Sequence, residues 1–200
     1  WDRLRNALAS RGGYGELTLA AALALPLAVI SNWPLPNIQS EDVTYFNMGT
    51  ALLDADRPAE AIGPLEEAAA INPTFPAAYH NRGLAARALD DLDDARRWFQ
   101  KTLALDPRMA GAYFNLARID QRQGQLDAAV EHVEKALTID PLLAAAHQLR
   151  GRLAMQRGEP DGIEHLRRAA ELEPRSGLMR ADVGMALASR GDLQGAIDEY

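Results

Sequence analysis

The chain has no cysteine among its 200 residues, which excludes disulfides, thiolate zinc sites and cysteine nucleophiles but says little about compartment. It also lacks a glycine-rich phosphate loop and a nucleophile elbow. The four histidines, His80, His132, His147 and His165, fall in four different helical segments, and none belongs to a metal motif such as two histidines a helical turn apart with an intervening glutamate. His132 and His165 occupy equivalent positions in adjacent segments and could approach one another, but they are read as two solvated histidines on helix faces. The acidic run Asp90, Asp91, Asp93 and Asp94 brackets a turn and a helix start, where it complements the helix dipole and needs no metal. Strand-like alternation is missing, so the 48% apolar content points to an all-α chain. Surplus positive charge is confined to the start. Residues 1–40 hold three arginines against two acids, which leaves the remaining 160 with a surplus of eight acidic groups. Such a surface repels phosphate backbones and argues against nucleic acid as a partner. These absences predict no catalytic residue, no metal ligand and no cofactor, and so a chain that is not an enzyme on its own.

What is present is a period. Tyr113, Leu116, Ala117, Gly124, Ala129, Val133, Ala136, Asp140 and Pro141 repeat 34 residues earlier as Tyr79, Arg82, Gly83, Asp90, Ala95, Phe99, Thr102, Asp106 and Pro107. A further 34 back stand Tyr45, Met48, Gly49, Asp56, Ala61, Leu65, Ala68, Asn72 and Pro73. Forward, His147, Arg150, Gly151, Gly158, Leu166, Ala169 and Pro174 follow with one residue deleted, and Arg180, Gly184, Gly191, Ala196 and Tyr200 open a fifth copy. The repeats are 42–75, 76–109, 110–143, 144–176 and an incomplete 177–200. Within each, apolar residues at three- and four-residue steps predict two amphipathic helices. Gly124, Gly158 and Gly191 supply the positive φ of the turn between them, while the prolines stop the second helix. Gly49, Gly83, Ala117, Gly151 and Gly184 are expected to face Ala61, Ala95, Ala129 and Ala196, letting paired helices come close. No single pair can bury its apolar face, so stability must come from stacking. Tyr200 leaves the second helix of the fifth repeat barely begun, so further repeats or a cap are expected to follow.

A period of 34 with an aromatic at the fourth position, a small residue at the eighth, alanine at the twentieth and proline near the end resembles the tetratricopeptide repeat. The resemblance implies a superhelical solenoid of antiparallel helix pairs that binds a protein or peptide partner in its concave groove. Asn47, Asn81 and Asn115 recur at the sixth position and are similar to the asparagine ladder of O-GlcNAc transferase and like arrays, whose amides hold an extended peptide backbone. Asparagine favours helix interiors little, so three mid-helix copies need either that binding reason or a bond to the neighbouring repeat. The ladder fails at Leu149 and meets Asp182 in the fifth repeat. Beside it, the resemblance puts Phe46, His80, Phe114 and Gln148 at the fifth position and Thr50, Leu84, Arg118 and Arg152 at the ninth on the groove face. The expected peptide-binding residues are Phe46, Asn47, Thr50, His80, Asn81, Leu84, Phe114, Asn115, Arg118 and Arg152. Arg118 and Arg152 form a basic spot suited to an acidic side chain of the partner. The carboxylate clamp that holds chaperone tails would want basic residues where Phe46, Gly111 and Asn115 stand, so that ligand is not expected.

Ahead of the repeats lies a different segment. Residues 1–16 are basic, with Arg3, Arg5 and Arg11, and residues 17–38 carry no charge. Twenty-two uncharged residues are long enough to cross a bilayer, Tyr14 and Trp33 stand where interfacial aromatics belong, and Pro26 is tolerated in a membrane helix. Residues 17–38 are therefore read as one transmembrane helix and 39–41 as a linker. The arginines before the span and Glu41 and Asp42 after it put the repeats on the non-cytoplasmic, periplasmic side. No small-residue cleavage pattern marks a signal peptide, and the first residue is Trp1, so the span is expected to be the last of a larger membrane protein. Two functions are open: a membrane-tethered interaction scaffold, or the acceptor-recruiting C-terminal arm of a polytopic membrane glycosyltransferase, a resemblance of architecture alone.

Overall fold

The computed structural model describes residues 40–199, and the expected membrane span at 17–38 lies outside them. The described residues form one compact unit. Among the described residues there are ten α-helices: α1 Glu41–Asp54, α2 Pro58–Ile71, α3 Pro76–Ala88, α4 Leu92–Leu105, α5 Ala110–Arg122, α6 Leu126–Ile139, α7 Ala144–Arg157, α8 Gly162–Leu172, α9 Gly177–Ser189 and α10 Leu193–Asp198. None of these is long and apolar enough to cross a membrane. Odd-numbered and even-numbered helices alternate as the first and second members of a pair, and each packs on its chain neighbours. The first helices also touch one another, α1 on α3 and α5 on α7. That places them on the inner, tighter layer of a solenoid and the second helices outside.

Both turns of the repeat follow from their local sequence. Between the helices of a pair the chain takes one left-handed residue: Gly124 at φ 75°, Gly158 at 70° and Gly191 at 86°, but Asp56 at 56° and Asp90 at 67° in the first two repeats. Each turn closes with the same two backbone bonds. In the first, Asp56 N–H donates to Leu53 O at 3.0 Å and Arg57 N–H to Leu52 O at 2.8 Å, and in the third, Gly124 and Gln125 do the same to Gln121 and Asp120. This double closure satisfies carbonyls that the helix end leaves without partners. Between repeats, Asn72, Asp106 and Asp140 each precede a proline and accept the backbone N–H two residues on, at 3.2, 2.9 and 3.0 Å. The side chain builds the turn and the proline forbids the helix from running through it.

The close approach within a pair has a second partner besides the alanine expected. A Cβ placed on Gly49 would stand 2.5 Å from Leu65 Cγ, one on Gly83 would stand 2.7 Å from Phe99 Cε1, and one on Gly151 would stand 2.7 Å from Leu166 Cγ. The small residue at the eighth position thus receives the large side chain at the twenty-fourth, while the alanine at the twentieth contributes backbone, as at Ala61 O, 3.4 Å away. Ala117 trades the other way. It shares a buried cluster with Val133, the smaller occupant of the same twenty-fourth position. The side-chain volume that the first helix gives up is taken by the second.

Candidate functional site: the inner face of the first helices

The inner face is built by residues at the fifth, sixth and ninth positions, and one register rule organises it. The sixth residue of a repeat stands against the ninth of the repeat before. Asn81 Nδ2 donates to Thr50 Oγ1 at 2.8 Å, and Thr50 in turn donates to Phe46 O at 2.9 Å. At the other end Arg152 grips Asp182 with both Nε and Nη2, at 3.0 and 2.9 Å, and Gln148 Nε2 adds a third donor to Asp182 at 2.6 Å. Asp182 is buried. A paired guanidinium and carboxylate in fork geometry is the stronger kind of ion pair. The two middle joints have no such partner. Leu84 precedes Asn115, so the Asn115 amide turns back to Gly111 O in its own helix at 2.8 Å and is left only 5% exposed. Arg118 precedes Leu149 and stays exposed, its guanidinium 5.8 Å from the centre of the Phe114 ring.

The expected groove residues therefore divide by what they touch. Phe46 packs on Phe75 at 4.9 Å between ring centres and on the core around Ala61 and Leu65. Leu84 and Phe114 are half-buried against the cores that join repeats two to three and three to four. His80 lies 5.4 Å from the Phe99 ring with its Nδ1 buried and without a hydrogen-bond partner. Burial first, then the charge of Arg87, pull its imidazole down to a pKa of about 4. Asn47 is exposed, and Asn81 is half-buried with one amide proton committed to Thr50. The basic spot expected at Arg118 and Arg152 reduces to Arg118, because Arg152 is neutralised by Asp182.

Three features were not singled out in the sequence. Asp120 is fully buried between Arg96 Nη2 at 2.7 Å and His132 Nδ1 at 2.6 Å. Its signal was a charge at the eleventh position, where Leu52, Ala86, Ala154 and Leu187 are apolar. His132 is committed to that carboxylate, and the histidine that meets His165 is His147 on α7, Nδ1 to Nδ1 at 3.1 Å. Arg82 and Arg150, both at the seventh position, are buried bridges. Arg82 reaches Glu66 at 2.9 Å and Asp94 at 3.0 Å, and Arg150 reaches Glu134, Glu159 and Asp161 at 3.3, 2.9 and 3.0 Å. Each ties the second helix of the preceding repeat to its own. Arg87 is the third feature; it lies on α3 at the twelfth position beside Arg118, and its Nε is buried without a partner.

Helix pairs stacked in one direction, with first helices inside and a lined inner face, define a helical-repeat solenoid of the protein-binding class. Residues 75–142 and 149–200 match profiles of the tetratricopeptide repeat, and the array is made of tetratricopeptide repeats. Several solved structures superpose on it. MamA 41-end from Desulfovibrio magneticus RS-1 is 25% identical with a TM-score of 0.67, over 81% of this chain and 92% of that one. PilF of Pseudomonas aeruginosa reaches a TM-score of 0.74 at 19% identity, over 80% and 73%. YrrB, described as a TPR protein with an unusual peptide-binding site, gives 0.61 at 15% identity, over 88% of each chain. A comparison with curated protein sequences finds no match.

Proposed function

We propose that the array is a protein-interaction scaffold that holds an extended peptide along the inner face of its first helices, tethered to a membrane through residues 17–38 with the repeats on the non-cytoplasmic side. The observation that carries the reading is the inner face itself. Phe46, His80, Asn81, Leu84 and Phe114 recur along it at repeat spacing, each half-buried, offering apolar and polar contact in turn, while the Thr50 hydroxyl is spent on Asn81 and Phe46 O. Asn81 gives Thr50 one amide proton and keeps its carbonyl oxygen, an acceptor for a peptide N–H. Its position argues for binding over catalysis: an amide can fix the register of a backbone without reading side chains.

The test separates the amide's two duties. Asn81→Ala removes both the bond to Thr50 and any bond to a peptide, whereas Thr50→Val removes only the first. With peptides selected from a displayed random library, calorimetry should find Asn81→Ala weakened up to about tenfold, near the net value of one hydrogen bond, and Thr50→Val unchanged in affinity. Both should lose a similar amount of stability. Equal affinity losses in the two variants would assign the asparagines to the joints and leave the groove elsewhere.

A further inference from the structure

Arg87 and Arg118 break the electrostatic pattern of the array. The chain has 28 acidic side chains against 21 basic ones, and among the described residues every arginine shielded from solvent, Arg87 apart, has a carboxylate partner. Arg82, Arg96, Arg122, Arg150, Arg152 and Arg157 each have one. Arg87 has none among the described residues, although it is half-buried and its Nε is shut away from solvent without a hydrogen-bond partner. Burial, and after it the positive charge of Arg118, lower its pKa. A buried cation facing a second cation is costly unless an anion joins them. Arg118 in turn has, among the described residues, only the Phe114 ring.

The two arginines, with Leu92, Ile119 and Arg122, line a cavity of about 50 Å³ on the inner face between repeats two and three. A single water needs roughly 10 to 15 Å³, so this space accepts a small planar group but not a ring. Leu92 and Ile119 give it an apolar part, which strengthens a charged hydrogen bond made beside them. Arg122 is held at the rim by Asp90 at 2.5 Å, and so the charge left for an incoming group is that of Arg87 and Arg118. Guanidinium groups match carboxylate oxygens in pairs.

We propose that this cavity seats a carboxylate of an aspartate or glutamate side chain presented by an acidic peptide lying along the inner face. The proposal rests on the peptide-groove reading and adds to it the chemistry of the partner. An array with an acidic surplus disfavours acidic segments on average, so the seat fixes register as well as affinity: one acidic residue must fall at the joint of repeats two and three.

The test uses the full 200-residue chain in non-ionic detergent and two fluorescein-labelled dodecapeptides, one alternating glycine and glutamate, the other with glutamine for every glutamate. By anisotropy at low salt, wild type should bind the glutamate peptide at least tenfold more tightly. Arg87→Gln with Arg118→Gln should erase that preference, and the exposed Arg118→Gln alone, which leaves the core untouched, should reduce it. Arg108→Gln with Arg175→Gln, an equal loss of charge away from the cavity, should leave it intact. A preference that survives loss of Arg87 and Arg118, or that falls equally in the charge control, overturns the proposal. Equal binding of both peptides by wild type overturns the seat and keeps the groove. Binding of neither, with the Arg87 Nε–H resonance still shifting saturably as acetate is added, keeps the seat and overturns the groove; no shift overturns both.

Discussion

At the scale of the residue, two buried groups govern how this array responds to its surroundings. His80 is held neutral, with its pKa lowered from 6.5 to about 4 by burial and by Arg87. Between those two values the unfolded chain takes up a proton that the folded chain refuses, so acid favours unfolding. Above pH 6.5 the group has no effect, and by pH 4 it should have removed up to roughly 3 kcal/mol. His165, lowered by burial and then by Arg150 and His147, works in the same direction. Urea unfolding at pH 7 and at pH 4.5 should therefore show a smaller acid loss for His80→Gln than for wild type, with a residue of sensitivity left to His165. An unchanged loss would mean that His80 is already solvated. Asp120 acts through its partners. Its removal strands Arg96, 24% exposed, and His132 beside an emptied site, so Asp120→Ala should cost about 3 kcal/mol. Arg96→Ala in the same chain should return part of that, a coupling of more than about 1 kcal/mol, and strict additivity would show that the pair is not a unit.

At the scale of the element, the trade of volume between the eighth and twenty-fourth positions makes a sharper prediction than helix propensity does. Gly83→Ala places a methyl 2.7 Å from Phe99 and should cost about 1 to 3 kcal/mol. Phe99→Val beside it reproduces the Ala117 and Val133 arrangement and should recover at least half of the sum of the two single losses. Thermal melts of the four chains check it, and additive losses would separate the two positions. The helix pairs and their turns were legible because the period repeats every local signal five times: Gly124, Gly158 and Gly191 mark a left-handed residue wherever Asp56 and Asp90 alone would have left it ambiguous. The partner of the eighth position was not legible, since a stripe of small residues shows that something approaches without showing which side chain fills the gap. The joints were harder still. That Asn81 meets Thr50, and Asp182 meets Arg152, depends on the rotation from one repeat to the next, which no single repeat encodes. Arg87 stood in no recurring column and gave no periodic signal, yet it is the group with the clearest unmet need.

At the scale of the whole molecule, the tether proposed through residues 17–38 would decide which partners the array can meet. Arg3, Arg5 and Arg11 before residues 17–38, with Glu41 and Asp42 after them, predict that in a bacterial host a reporter fused after Ser40 works only if it functions outside the cytoplasm. A reporter active inside the cytoplasm, or release of the protein by carbonate washing, would reject the assignment. The joints add a mechanical property to the same molecule. On the inner face the first joint is riveted by Thr50 and Asn81 and the last by Arg152 and Asp182, while the two between are not, and Arg96 with Asp120 clasps the second of the four from elsewhere on the pair. A solenoid fastened in this way is a spring of uneven build: its end joints are closed along the inner side, and the joint where Arg87 and Arg118 stand is held instead from beside it, by Arg96 with Asp120 and Arg122 with Asp90.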